Sequence, residues 1–83
     1  MSTQEAVCER IRQLMKAQNI TINRLAERSG IHHSTLDTML AVPSTTKNTG
    51  ITTLKKICQG LDIRFDAFWR SPLFGEEELE YEE

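Results

Sequence analysis

The chain has 83 residues, of which 10 are basic and 12 acidic, and its formal net charge is −2 at pH 7. This length allows one domain with a small core, because a short domain buries only about 60% of the surface that its unfolded form exposes. No apolar run approaches the roughly 20 residues of a membrane span, and the polar start with Glu5 and Glu9 is not typical of a secretory signal peptide. We therefore expect a cytoplasmic protein that keeps Cys8 and Cys58 as reduced, buried thiols.

The charge is unevenly distributed along the chain. Residues 1–70 carry all ten basic and six of the acidic side chains, a net charge of +4, whereas residues 71–83 carry six glutamates and no basic residue. A mildly basic body permits contact with phosphates, and the acidic segment lowers the isoelectric point of the whole chain. We therefore predict one domain over residues 1–70 and an acidic C-terminal tail over residues 71–83.

The first predicted helix runs from Thr3 to Gln18. Apolar side chains recur in it at three- and four-residue spacings and form one face, which contains Val7, Ile11, Leu14 and Met15. Asn19 is expected to end this helix, because asparagine tolerates the left-handed conformation that follows many helices.

The segment from Ile22 to Ala41 predicts two short helices joined by a turn. Thr21 precedes it as an expected N-cap. Gly30, in Ser29-Gly30-Ile31, can adopt the positive φ that ends one helix and turns the chain into the next. Two helices joined in this way form a helix-turn-helix, although the same pattern fits an αα-corner in any small helical bundle. The apolar stripes of the two helices contain Leu25 and Ala26, and Leu36, Met39 and Leu40.

Two further helices are predicted after a polar connection over residues 41–50. The fourth helix runs from Ile51 to Gln59, with Gly60 near its C-terminal end. The fifth is short and runs from Phe65 to Trp69, and its aromatic side chains are expected to close the core because aromatic residues bury the most area. No segment has the alternating pattern of a strand. The sequence therefore predicts an all-α fold of five helices.

Two separated motifs resemble one known family. The run T-x-x-x-L-A-x-x-S-G-I-x-x-S-T-L extends from Thr21 to Leu36, and L-K-K-I-C-x-G-L-x-I, followed by an aromatic-rich turn, begins at Leu54. Together they resemble the Cro and lambda-repressor-like helix-turn-helix family, also called the Xre family. The resemblance covers about residues 5 to 70 and implies a compact five-helix, lambda-repressor-like DNA-binding domain. Members of this family are bacterial or phage sequence-specific DNA binders, and most regulate transcription, so the resemblance implies a small homodimeric regulator, more often a repressor than an activator.

The resemblance also implies which residues meet the bases of duplex DNA. The third helix, at about residues 32–40, would enter the major groove with its exposed side chains toward the base edges. Imidazole and hydroxyl groups can both donate to and accept from those edges. An alternative for His33 and Asp37 is a surface pair four residues apart on one helix. The expected base contacts are His32, His33, Ser34, Asp37 and Thr38.

Phosphate contacts are expected at the starts of the second and fourth helices, because helix N-termini attract phosphate. Relatives often carry Gln where this chain has Ile22, so the contact there is expected from the backbone amide and from Asn23. Arg24 and Arg28 lie four residues apart on the second helix and are interpreted as a solvated basic edge. The expected phosphate contacts are Thr21, Ile22, Asn23, Lys47, Asn48, Thr49 and Gly50.

The family analogy places the dimer interface at the fifth helix and the residues just after it. Aromatic and other apolar side chains supply enough apolar surface in that region for self-association. The expected interface residues are Phe65, Trp69, Leu73 and Phe74.

Catalysis and metal binding fit these residues poorly. Ser34, His33 and Asp37 are residue types of a catalytic triad, but they fall within about one helical turn, where Ser34 points away from His33. The two cysteines and two histidines lack the C-x-x-C or H-x-x-x-H spacing of a metal site. We therefore expect no catalytic residue, no metal and no cofactor.

The main alternative function is a protein-interaction module, such as the antitoxin or adaptor partner of another protein. The tail favours this alternative, because it places apolar Leu73, Phe74, Leu79 and Tyr81 among six glutamates and so offers a surface to a protein partner. An alternative for Leu73 and Phe74 is packing against the fifth helix or in the dimer interface. The tail is also typical of a disordered, solvating segment. A third hypothesis is that it covers the basic DNA-binding face. The residues leave these alternatives open, together with the operator sequence and the regulated genes.

Overall fold

The computed structural model describes residues 2–41 and 49–75 of the chain. These residues form five α-helices and a 3₁₀ turn at Pro72–Phe74. Within those two ranges there is no β-strand, and no helix is long and apolar enough to cross a membrane. The predicted all-α, five-helix fold is therefore confirmed. The helices are α1 (Thr3–Gln18), α2 (Ile22–Ser29), α3 (His33–Ala41), α4 (Ile51–Gly60) and α5 (Phe65–Phe68).

Both ends of α1 are closed by residues that flank the helix or lie in its first turn. The Ser2 hydroxyl accepts a hydrogen bond from the Glu5 N–H at 3.2 Å, and Glu5 Oε1 accepts one from the Ser2 N–H at 3.0 Å. Hydrogen bonds with Ser2 stabilise the Glu5 carboxylate and so lower the pKa of Glu5, and the bond from the Ser2 N–H has a larger effect than the Ser2 side chain. At the other end Asn19 adopts a φ of 55°, and its N–H donates to the Lys16 carbonyl. The predicted left-handed end at Asn19 is therefore confirmed.

The turn between α2 and α3 forms as the sequence predicts. Thr21 caps α2, because its hydroxyl oxygen accepts a hydrogen bond from the Arg24 N–H at 3.2 Å. Gly30 adopts a φ of 66°, a conformation in which other residues are strained. The Ile31 N–H then donates to the Ala26 carbonyl at 3.1 Å, and this backbone bond closes the turn.

Helix α4 ends through Asp62 rather than through Gly60, which lies two residues earlier. The sequence predicts that α4 ends at Gln59, but Gly60 is the last helical residue and Asp62 adopts the left-handed conformation at a φ of 53°. Gly60 instead allows α4 to pack closely on α2. A Cβ atom at this position would lie 3.1 Å from Leu25 Cδ1 and would overlap the Ser29 hydroxyl.

The hydrophobic core lies between the helices, and α5 closes it. Phe68 is fully buried, and Trp69 and Phe74 pack against the core. Arg10 on α1 holds α5 in place, since its Nε donates to the Phe68 carbonyl at 2.8 Å and its Nη2 to the Ala67 carbonyl at 3.1 Å. The last predicted residue of α5, Trp69, follows the helix as its C-cap.

Both cysteines are buried and unbridged, as the sequence predicts. Burial raises the pKa of the Cys8 and Cys58 thiols, because apolar surroundings disfavour the thiolate. Near Cys8 the Arg12 guanidinium and the Gln4 amide oppose this effect without reversing it. Both thiols are therefore protonated at neutral pH.

Candidate nucleic-acid interface

One side of α3 is buried and the other is exposed. Leu36, Met39 and Leu40 lie in the core, so the opposite side of the helix faces outward. The predicted base-contact residues are all exposed, as an outward face requires. Their contact with DNA stays a prediction. These residues are His32, His33, Ser34, Asp37 and Thr38.

His32 caps the start of α3. Its ring Nδ1 accepts a hydrogen bond from the Ser34 N–H at 3.3 Å and lies 2.8 Å from Ser34 Oγ. The His32 carbonyl accepts bonds from the N–H groups of Thr35 and Leu36. The helix therefore starts at His33, and only Nε2 of the His32 ring is left to bond a base. This cap is not predictable from the sequence because histidine is not among the preferred N-cap residues.

A cleft of about 470 Å³ lies between α3 and the start of α4. It brings two of the expected base-contact residues, Ser34 and Thr38, next to the expected phosphate site at α4. Five of its seven lining residues carry a hydroxyl group, and such groups can donate to phosphate oxygens or to base edges. The lining residues are Ser34, Thr35, Thr38 and Met39 on α3, and Thr49, Gly50 and Thr53 around the start of α4.

The first turn of α4 has no capping side chain from its N-cap residue. Gly50 is the N-cap, and glycine has no side chain with which to bond the first amide groups of the helix. Such N–H groups can bind a phosphate oxygen. Thr49 and Gly50, two of the residues predicted for this contact, stand at this helix start. The other two, Lys47 and Asn48, lie outside the described residues.

The start of α2 is the second expected phosphate site. Thr21 and Asn23 are exposed, whereas Ile22 is half-buried and packs against the core. The Thr21 hydroxyl caps the helix by accepting the Arg24 N–H. Ile22 therefore has only its backbone N–H to offer a phosphate, because its side chain belongs to the core.

Two arginines lie beside that helix start. Arg24 and Arg28 line a cleft of about 290 Å³ together with Thr21. Arg24 forms an ion pair with Glu27 at 3.4 Å, and both side chains are more than half exposed, so the pair adds little stability. Arg24 and Arg28 are both exposed, as the interpretation of this helix edge as solvated requires.

The surface pair considered for His33 and Asp37 is not formed. Both residues are exposed, and in the described part of the chain no hydrogen bond or ion pair joins them. Both side chains are therefore available to a partner.

Gln4 is a residue of this region that was not predicted from the sequence. It is only 6% exposed, and its side-chain amide bonds Thr49 at the start of α4. Its position gives the signal that could have found it, because Gln4 falls four residues before Cys8 and seven before Ile11. A polar residue on the apolar stripe of a helix predicts a buried hydrogen bond.

The fold and this surface define a helix-turn-helix DNA-binding protein. A profile of the Cro/C1-type HTH DNA-binding domain matches residues 10–66, which is more than half of the chain and includes α2, α3 and α4. The chain therefore belongs to the Cro/C1-type HTH DNA-binding domain family, and the resemblance noted in its sequence is confirmed. Neither a curated protein nor a solved structure matches it.

Proposed function

We propose that this protein is a small transcriptional repressor that binds a specific duplex sequence as a homodimer. Its family is a DNA-binding one. The observation that supports the finer proposal is the shared cleft, lined by the exposed side of α3 and the start of α4. A helix in the major groove brings the flanking phosphates close to neighbouring helix starts. Residues 1–70 form the proposed DNA-binding domain, residues 71–83 the acidic tail, and the site of action is the cytoplasm.

Base recognition is assigned to the exposed residues at the start and along the outer side of α3. His33, the first residue of the helix, has two ring nitrogens that can bond base edges. His32 uses Nε2 alone, because its Nδ1 caps the helix. Asp37 is repelled by phosphates and suits the exocyclic amine of cytosine. The full proposed set is His32, His33, Ser34, Asp37 and Thr38.

Phosphate contacts hold α3 in register from both sides. At α2 the N–H groups of Ile22 and Asn23 precede the first backbone bond of the helix, which Leu25 donates to Thr21 at 2.9 Å, so neither has an acceptor within the helix. At α4 the contact falls on the residues that precede the helix. The proposed set is Thr21, Ile22, Asn23, Lys47, Asn48, Thr49 and Gly50.

The proposed homodimer forms through the apolar surface at and after α5, which consists of Phe65, Trp69, Leu73 and Phe74. Phe65 is 36% exposed, and its ring packs edge-on against Trp69 at 5.9 Å, so the exposed ring extends an aromatic cluster. Sedimentation should give a dimer for the parent chain and a monomer for Phe65→Ser. Ile51→Ser is the matched control, since Ile51 is 75% exposed but lies on α4. A dimer in both variants would place the interface elsewhere.

Selection of bound duplexes from a random pool tests the function itself. A dimer of this class reads two half-sites about 34 Å apart, so the expected motif has two-fold related halves about ten base pairs apart. Affinity for the selected duplex should fall steeply with salt. Thr38→Ala should weaken binding to that duplex, whereas Gln13→Ala, at an exposed site on α1, should not. The absence of an enriched motif would contradict the proposal.

The acidic tail favours one other function, the docking of a protein partner. Six glutamates and no basic residue follow position 70, which gives the tail the opposite charge to the body. A chain that docks protein through this tail would enrich no duplex motif and would bind a basic peptide or protein. The same pool selection therefore distinguishes the two functions.

A further inference from the structure

The side-chain amide of Gln4 binds the residue just before the start of α4. Its Oε1 accepts a hydrogen bond from the Thr49 N–H at 2.7 Å, and its Nε2 donates to Thr49 Oγ1 at 2.8 Å. Both ends of one amide group thus contact one residue that lies 45 positions further along the chain. Gln4 is 6% exposed, so water does not compete freely for these bonds.

The same network reaches the C-terminal part of α3. The Thr49 hydroxyl, which accepts from Gln4, donates to Met39 Sδ at 3.2 Å. Cys8, one turn after Gln4 on α1, donates from its thiol to the Met39 carbonyl at 3.5 Å. The residue that leads into α4 is therefore fixed against both α1 and α3 by polar contacts.

These contacts matter because α4 begins without a side-chain cap. Gly50, the N-cap, has no side chain, so the direction of the first amide groups of α4 depends on how the backbone enters the helix. Gln4 holds that backbone one residue earlier, through the Thr49 N–H. Thr49 is half-buried, and an N–H that loses its acceptor in such a place is costly, so the bond favours this entry geometry.

We infer that Gln4 is a positioning residue for DNA binding. It fixes Thr49 and Gly50 relative to α3, so that the phosphate-contacting end of α4 and the base-contacting face of α3 engage one duplex in register. Gln4 is buried and itself touches no DNA. This inference rests on the proposed DNA-binding function and adds to it a residue on α1, a helix to which no DNA contact is assigned.

The test compares Gln4→Met with the parent chain. This substitution keeps the side-chain length and removes both hydrogen bonds to Thr49, together with the longer one that Gln4 Nε2 donates to Cys8 Sγ at 3.5 Å. The affinity of the parent chain and of Gln4→Met for the selected duplex is measured over a range of salt concentrations, at a temperature where both proteins are folded. Gln4→Met should weaken binding about tenfold, the equivalent of one charge-assisted hydrogen bond to a phosphate. The slope of log K against log salt should become shallower by about 0.9 for each phosphate that the variant no longer binds. Hydrogen exchange of the Thr49 amide should become faster.

Ile11→Val is the matched control, because Ile11 is fully buried on the same helix and its truncation lowers stability without touching the network. Its affinity and salt slope should equal those of the parent. If Gln4→Met does not fold, Gln4→Asn replaces it, since its amide is one methylene too short to reach Thr49.

A Gln4 variant with a lower Tm that binds with the parent's affinity and salt slope would overturn the inference without contradicting the proposed function. A parent chain that selects no duplex would overturn the proposed function and, with it, this inference. Because binding by the parent is measured first, the two failures are distinguishable.

Discussion

Replacing Gly60 by alanine is expected to destabilise the domain, although alanine is the better helix former. In a helix interior alanine is favoured over glycine by about 0.8–1 kcal/mol. Gly60 is the last residue of α4, so less than this gain is available. The close packing of α4 on α2 opposes this gain in helix propensity. A Cβ atom would lie 3.1 Å from both Leu25 Cδ1 and the Ser29 backbone nitrogen, and would overlap the Ser29 hydroxyl.

The steric cost should exceed the helix gain, because the neighbouring atoms are buried and have little room to move. Leu25 is fully buried and Ser29 is 7% exposed, and one of the contacting atoms belongs to the backbone. Overpacking of this kind costs about 1–3 kcal/mol. A mid-range cost of about 2 kcal/mol, less about half of the helix gain, leaves a net loss of about 1.5 kcal/mol. For a domain of this size that loss lowers Tm by roughly 5–15 °C. Thermal unfolding followed by circular dichroism measures it.

Two further variants check the physical reason. Gly75→Ala is the control, since the nearest atom to a Cβ there is the Pro72 carbonyl oxygen at 3.4 Å, an ordinary contact. Ser29→Ala should raise Tm by itself, because the buried Ser29 hydroxyl has no hydrogen-bond partner among the described residues. Combined with Gly60→Ala it should recover part of the loss. An unchanged or higher Tm for Gly60→Ala alone would refute the close approach of α4 to α2.

Two other predictions follow from single side chains and their surroundings. Thr21→Ala removes the hydroxyl that accepts the Arg24 N–H and should lower the free energy of unfolding by about 1 kcal/mol in urea titrations, whereas Thr21→Ser should not. Because burial raises the pKa of the Cys8 and Cys58 thiols, less thiolate is present at pH 8. Both should therefore react with a disulfide reagent far more slowly when folded than in urea, and equal rates would contradict their burial.

Local signals allowed the helix ends to be predicted from the sequence. Asn19, Thr21 and Gly30 act through dihedral angles or hydrogen bonds that lie within about one turn of themselves. Their roles therefore depend little on the rest of the fold. The exposed face of α3 was predictable for a similar reason, since the apolar period alone decides which side of the helix is buried.

Local signals did not predict two other helix ends, the end of α4 and the cap of α3. Gly60 has the residue type of a helix end, but Asp62 adopts the left-handed conformation and Gly60 serves the packing of two helices. His32 is not a preferred N-cap, yet its ring caps α3 because the turn places its Nδ1 within reach of the Ser34 N–H. In both cases the geometry of the turn, rather than the intrinsic preference of the residue, determines which residue ends or caps the helix.

By itself the sequence determined the helices, the caps at Asn19, Thr21 and Gly30, and the exposed face of the candidate recognition helix, because backbone preference and apolar periodicity act over a few residues. Only the tertiary structure decided that Gln4 meets Thr49, that Gly60 meets Ser29 and that α3 and α4 share a cleft. Those pairs are far apart in the chain, and their meeting depends on where the packed helices cross. No local pattern specifies that crossing, because it results from the packing of the whole core.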